Sequence, residues 1–512
     1  MKKIQLFGYN EELHDKITCK KGDFKKQINN IKKKQKKTID IKFNKLNFYC
    51  IDKIITFALR LKKEKIIIKQ PFSVKPLNNI LNNWNKQINK YKQKLRKNNI
   101  SITTNNELIE LLDNLQKKSN EQDENDLLRL LGIISETIFI GPNQLLLDIN
   151  NRCNTECVYC WIHSPHIKKK TYSMDQYKKP KEISFEIFKR IIDDATKIGV
   201  EDIVMVGDGE PTIHSQFNKL IKYINKKGLS TMLFSNGLTF NEKKIKAIVD
   251  NNVGTLQISI SAATPKTYIK LHPSTKKQEF MNLKKNIKKL AKYKHKKKNK
   301  RLRIVIVNVI NNLNYHELVK MTNFAWKVGA NEVGFQLIDL RDYSMYLKLS
   351  KEQITRVKKD FKKIRLLTKI YYLLSFGKFF VGHHLDRQLE NINFNTGDWS
   401  ENVYTKRGCF IGWWFAYYRL NDIFTFCCSI KEVEKLKHLR FKDIWFSDNY
   451  NKFRIAGKYL KENKDLEFKD GRKLFESKCN NCDNTGHLNK IQRLIKEFEL
   501  EKFVFNKFEE TK

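Results

Sequence analysis

Three of the ten cysteines fall within the stretch NNRCNTECVYCWIHSP, at Cys153, Cys157 and Cys160, in a C-x3-C-x2-C spacing. Three thiolates are one donor short of a closed four-thiolate zinc site. A [4Fe–4S] cluster held by three thiolates keeps one iron open to a chelating small molecule. Zinc bound by the three cysteines and His163 is the competing reading, although structural zinc sites mostly pair their ligands as C-x2-C with a second pair elsewhere. A second set follows at Cys409, Cys427, Cys428, Cys479 and Cys482, ending in CNNC. Four of these thiolates suit one closed iron–sulfur cluster or one zinc ion equally well. Cys19 and Cys50 are isolated and read as ordinary residues.

Regular elements must carry these loops. From residue 144 six apolar runs succeed one another: QLLLDIN (144–150), DIVMVG (202–207), STMLFSN (230–236), TLQISIS (255–261), RIVIVNVI (303–310) and EVGFQLI (332–338). Helical patterns separate them. The first, SFEIFKRIIDDATKIG, has apolar residues at i, i+3, i+4 spacing behind Ser184 as its N-cap. The stretch 265–295 reads as one long helix. Apolar strands alternating with helices predict βα units around a parallel sheet. The fold class is α/β, a partial (β/α)6 parallel barrel, in which loops after the strand ends hold the chemistry. The three-cysteine loop follows the first of these strands.

Residues 1–138 form a separate lysine-rich α/β region. Its expected elements are the strand KLNFYC, the helix IDKIITFALRLKKE, the strand KIIIKQ, a polar helix 77–98 and the strand ISITT, with a polar linker at 116–126. The barrel spans 139–340, a helical connecting segment 341–400, a cysteine-rich domain 401–485 and a helical tail 486–512.

The formal net charge is +45 and the apolar fraction 40%. The apolar fraction suffices for a globular core. Such a charge points to an anionic partner, or to compositional drift toward lysine, asparagine and isoleucine spread along the whole chain. The basic run KYKHKKKNKRLR contains a single aromatic, Tyr293. Nucleic acid is therefore a possible partner but not the favoured one, since base stacking needs interleaved aromatics. The start lacks the apolar core of a secretory signal, and no run of about 18 apolar residues exists. A cytoplasmic protein without a membrane span is expected, so clustered cysteines read as metal ligands.

CNTECVYC, on a loop after the first strand of a βα repeat and with Tyr159 before its third cysteine, resembles the signature of the radical SAM superfamily. The motif VGDGEP (206–211) resembles that family's Gly-Gly-Glu-Pro motif, with Asp208 standing in for a glycine. FSNG (234–237) and SISAATP (259–265) resemble segments that line the adenosyl pocket. The resemblance implies a [4Fe–4S] cluster with one open iron on Cys153, Cys157 and Cys160, and S-adenosylmethionine bound near Tyr159, Gly209, Glu210, Pro211, Ser235, Asn236, Ser259 and Ser261. Asn308, Asn311 and Gln336 are weaker candidates.

The order CFIGWWFAYYRLNDIFTFCC, then DIW, then CNNC resembles the SPASM or twitch auxiliary-cluster domains of the same superfamily. That resemblance implies a second [4Fe–4S] cluster on Cys409, Cys427, Cys479 and Cys482, with Cys428 able to exchange roles with Cys427. It also implies a turn at Asn421–Asp422. The implied activity is cleavage of S-adenosylmethionine and hydrogen abstraction, with an electron donor such as flavodoxin or ferredoxin. A peptide or protein is the first choice of substrate. The alternatives are a carbohydrate or nucleoside intermediate, or a non-catalytic basic metal protein that binds nucleic acid.

Overall fold

In the computed structural model, the described residues are four strands within 1–123, then residues 124–501 and 504, apart from 137, 168–180, 252, 383, 400–407, 421, 429–433, 436–438, 461–464, 468–474, 476–478, 480–481 and 483. They form two compact units, one of residues 1–140 with 494–512 and one of 141–493.

The first unit contains a parallel sheet in the order β1 (Ile4–Leu6), β2 (Ile39–Lys42), β3 (Ile66–Lys69) and β4 (Ile100–Thr103). The third and fourth lie in the runs KIIIKQ and ISITT. The first two are short β-branched runs, IQL and IDIK, that carry too few residues to stand out in the sequence. The expected strand KLNFYC, the helix after it and the polar helix 77–98 lie outside the described residues. The linker 116–126 gives way at its end to the helix Glu124–Ser135.

The second unit holds the barrel sheet. Six parallel strands lie side by side in chain order: β5 (Gln144–Asp148), β6 (Asp202–Val206), β7 (Ser230–Ser235), β8 (Val253–Ser259), β9 (Arg303–Ile310) and β10 (Glu332–Leu337). Each matches an apolar run of the sequence. Alternate residues, among them Leu145, Leu147, Ile203, Met205, Leu256 and Ile258, are completely buried. Each such side chain contributes roughly 1.5–3 kcal/mol relative to exposure. The intervening Leu146, Met232, Phe234, Gln257 and Ser259 are half-buried on the other face, as the two-residue period of a strand requires. Ser184 caps the helix Phe185–Lys197, its hydroxyl accepting from the Ile187 N–H.

The stretch 265–295 is two helices, Pro265–Leu271 and Lys277–Lys296. Pro273 is the cause, because the residue before a proline is pushed out of the helical region. His272 accordingly sits at φ −130°, ψ 72°.

The sheet continues past the six strands on both edges. β11 (Phe380–Val381) pairs parallel with β10. β12 (Phe415–Arg419) pairs parallel with β5, Tyr418 opposite Leu147, and turns back antiparallel into β13 (Ile423–Thr425), which pairs with β14 (Glu434–Lys435). Asp422 takes the turn's left-handed position at φ +62°. The strands β12, β13 and β14 thus extend the barrel sheet itself.

Candidate functional site

The cysteine loop starts where β5 ends, and the GDGEP segment holds it down. Asn150 Nδ2 donates to the Glu210 carbonyl at 2.9 Å, while its Oδ1 accepts from the Arg152 N–H at 2.9 Å. The Glu210 N–H donates to the Arg152 carbonyl at 2.7 Å. Gly209 passes so close that a Cβ there would lie 2.1 Å from the Arg152 oxygen. Only glycine allows this approach. On its other side the loop is held at the helix break: the Val158 N–H donates to the Leu271 carbonyl and the Glu156 N–H to Ser274 Oγ.

Tyr159 is half-buried between the second and third cysteines of the loop. Its hydroxyl lies 3.0 Å from Ser261 Oγ and 3.3 Å from His272 Nε2. Burial lowers the His272 pKa to about 4, so the ring is neutral at pH 7. Its Nδ1–H faces the Tyr268 carbonyl at 2.9 Å, which leaves Nε2 as an acceptor. Ser261, at φ +59°, also accepts from the Val309 N–H. Ser261 therefore positions Tyr159 and joins β8 to β9.

Glu210 is buried and has both oxygens engaged. Thr212 N, Thr212 Oγ1 and Ser235 Oγ donate to one, and Asn236 N to the other at 2.6 Å. Burial raises its pKa against the pull of these donors. Its carboxylate ties the end of β6 to the end of β7. Pro211, also buried, opens the 3-10 turn Pro211–Ile213. Asn236 Nδ2 reaches Asn154 Oδ1 at 2.7 Å within the cysteine loop. Ser259 is half-buried at the end of β8, and among the described residues no hydrogen bond of its side chain joins this network. Asn308 reaches the Gly334 carbonyl and Asn311 caps its own turn, while Gln336 is exposed on β10.

The three thiols are close enough to feel one another's charge. Burial is the largest cause lifting all three pKa values, that of Cys153 to about 12. They are therefore neutral thiols until a cationic guest draws off their protons. The N–H groups of His163 and Ile162 point at Cys160 Sγ, at 3.2 and 3.5 Å. Amides directed at sulfur are the donors that cluster thiolates need. Among the described residues no three His, Cys, Asp or Glu side chains close tightly enough to hold a single metal ion. The three facing thiols, with N–H donors on one sulfur, fit a [4Fe–4S] guest.

In the second set Cys409 lies within electrostatic reach of Cys427 and Cys479, and burial raises its pKa. Cys482 Sγ accepts from the Asn484 N–H at 3.3 Å. The DIW segment ends the helix Phe441–Trp445, and Trp445 is completely buried. Against it stacks the buried Arg454, which donates to the carbonyls of Gly412 and Trp445.

Asp148, Tyr417 and Arg419 escaped the sequence reading. Tyr417 Oη donates to Asp148 Oδ1 at 2.7 Å across 269 residues of chain. The available signal was a single acid closing the apolar run QLLLDIN.

Residues 147–325 match the family model described as the Radical SAM superfamily. The chain carries a radical SAM domain. The match implies a [4Fe–4S] cluster and S-adenosylmethionine as cofactors. The chain is 29% identical to the S-adenosylmethionine-dependent nucleotide dehydratase of Selenomonas ruminantium, over 33% of this chain and 57% of that protein. It is 24% identical to the tungsten-containing aldehyde ferredoxin oxidoreductase cofactor-modifying protein of Pyrococcus furiosus, over 42% and 55%. It is 26% identical to the PqqA peptide cyclase of Rhodopseudomonas palustris, over 26% and 32%. The chain thus spans little more than half the length of the first two relatives and about a third of the last. Among the described residues no helix is long and apolar enough to cross a membrane.

Proposed function

We propose that this chain is a radical SAM enzyme that modifies a peptide or protein substrate, with Cys153, Cys157 and Cys160 as the ligands of its cluster. The carrying observation is the three-thiol loop pinned by Asn150, Gly209 and Glu210 at the strand ends of a parallel barrel. When bound, the cluster and S-adenosylmethionine supply a 5′-deoxyadenosyl radical that takes a hydrogen atom from the substrate. The protein's share is positioning. Tyr159, held by Ser261 and His272, backs the cysteine loop. Glu210, Ser235 and Asn236 fix the adjoining strand ends, Gly209 lets the chain pass close to the Arg152 carbonyl, and Pro211 opens the turn that follows. Cys409, Cys427, Cys479 and Cys482 are assigned to a second [4Fe–4S] cluster, the proximity of Cys427 to Cys409 favouring it over Cys428.

A peptide is preferred because one relative bears the name of a peptide cyclase. Another relative's name, that of a nucleotide dehydratase, keeps a nucleotide as the alternative substrate. An acidic flavodoxin or ferredoxin suits the net charge of +45 as electron donor. The test is anaerobic reconstitution, reduction and an assay for 5′-deoxyadenosine. Product from the wild-type chain and none from a Cys153, Cys157 and Cys160→Ala triple variant is expected. Equal product from the triple variant would refute the assignment.

A further inference from the structure

The helix Lys351–Leu374 carries apolar residues on two sides. Phe361, Ile364 and Thr368 are buried against the protein. Leu366, Ile370, Leu373 and Leu374, at i, i+4, i+7 and i+8, share the opposite side and are exposed. Leu373 is 74% exposed, and Phe376 in the turn beyond the helix is 90% exposed. More than half of the exposed large hydrophobic side chains among the described residues fall within 366–380. Apolar side chains exposed singly are ordinary, whereas a contiguous group marks a surface that meets a partner.

The turn holds this group outward. The Phe376 N–H donates to the Leu373 carbonyl at 3.1 Å and the Gly377 N–H to the Tyr372 carbonyl at 2.8 Å. Phe376 and Gly377 are both left-handed, at φ +53° and +79°. A bulky side chain is rare in that conformation. Tyr372 meets Phe380 edge-on at 5.4 Å, while Tyr371 stacks on Trp326 at 4.6 Å and donates to Asn323. The exposed residues therefore project from a fixed base.

Charge identifies what they meet. Between Phe361 and Gly382 the chain has Lys362, Lys363, Arg365, Lys369 and Lys378 and no acidic residue. The flanking acids are engaged, Asp360 by Arg356 and Lys363, and Asp386 by Arg365. Lys362 and Lys369 lie on the side of Leu366 and Leu373, and Lys378 follows the tip. Leucine and phenylalanine at a projecting tip, with lysines behind them, match the boundary between acyl chains and anionic headgroups. A second copy of the chain would bring the same positive charges face to face. Phe380 pairs with Glu332 at the start of β10. The tip is thus at the N-terminal end of the parallel strands, and the cysteine loop follows the C-terminal end of β5.

We propose that residues 366–380, with Lys362, dock the chain on the surface of an anionic phospholipid bilayer without crossing it. Leu373, Leu374 and Phe376 enter the acyl boundary, and Lys362, Lys369 and Lys378 meet the headgroups. Docking leaves the end of the sheet that bears the cysteine loop uncovered. The surface does not depend on which metal either cysteine set holds.

The test is sedimentation of the full chain with phosphatidylcholine vesicles, with and without phosphatidylserine, at about 0.15 M salt. Wild type should pellet with the vesicles that contain phosphatidylserine. Charge alone attracts a chain of +45 to them, so the deciding variant keeps every charge. The double variant L373S and F376S should bind about tenfold or more weakly. M281S, which removes an exposed apolar side chain from another helix, should bind as wild type does. All three side chains are exposed, so thermal unfolding should be unchanged. F376W gives a second reading: its added fluorescence should be quenched by phosphatidylserine vesicles with brominated acyl chains. Equal binding by wild type and the double variant would overturn the proposal. So would F376W fluorescence quenched no more than that of wild type. Wild type that stays in the supernatant would overturn it as well, and dimers lost in the double variant would then assign the face to a second copy.

Discussion

At the scale of single residues, the fit of the cysteine loop against GDGEP makes sharp demands. Gly209→Ala would place a methyl group 2.1 Å from the Arg152 carbonyl oxygen, a backbone atom that cannot rotate away. The expected result is a folded barrel that retains less than half the wild-type iron after reconstitution, measured by iron analysis beside circular dichroism. Glu210→Gln exchanges one acceptor oxygen for an NH2 group that meets the Asn236 N–H on one side or the three donors from Thr212 and Ser235 on the other. It should lower stability by about 1–3 kcal/mol, read from denaturant unfolding. Cys153, Cys157, Cys160 and Glu210 were legible in the sequence because their types and spacing are rare. The carboxylate's actual partners were not. The carboxylate of Glu210 organises Thr212, Ser235 and Asn236, a role set by how two strand ends meet.

At the scale of elements, the six barrel strands were legible because continuous apolar runs of this length, separated by helical patterns, leave few alternatives. The break at His272–Lys276 had a signal in Pro273 that the helical period of the flanking residues masked. That break matters, since Ser274 and Leu271 hold the cysteine loop. The pairing of β12 with β5 had no sequence signal, because the two strands are far apart in the chain. It carries a pH prediction. The folded-state pKa of Asp148 is raised, so its stabilising contribution is full below the unfolded value near 4 and is lost as pH rises through the folded value. Exchange of β12 and β13 amides, corrected for intrinsic rate, should therefore accelerate on going alkaline in wild type. Asp148→Asn should abolish that dependence. A flat wild-type profile would contradict it.

At the scale of the whole molecule, two cysteine sets imply a stoichiometry. Replacing Cys479 and Cys482 by alanine should reduce iron from about eight to about four per chain if both sets hold cubane clusters. Unchanged iron would leave the second set to zinc or to no metal. The net charge of +45 gives a second expectation. Reduction by an acidic flavodoxin or ferredoxin should slow steeply as salt is raised from low ionic strength, because long-range steering is screened within about 10 Å at 0.1 M.

The pairing of β5 with β12 also sets an order in time. The Tyr417–Asp148 contact spans 269 residues. At synthesis rates of about 5–20 residues per second, β5 leaves the ribosome roughly 10–50 s before its neighbour exists. During that interval β5 has a bare edge and Asp148 has no Tyr417, while Cys153, Cys157 and Cys160 are already outside. The nascent chain thus passes through a stage in which its three-cysteine loop is made but β5 lacks its outer neighbour, and that stage ends only when β12, between Cys409 and Cys427, emerges.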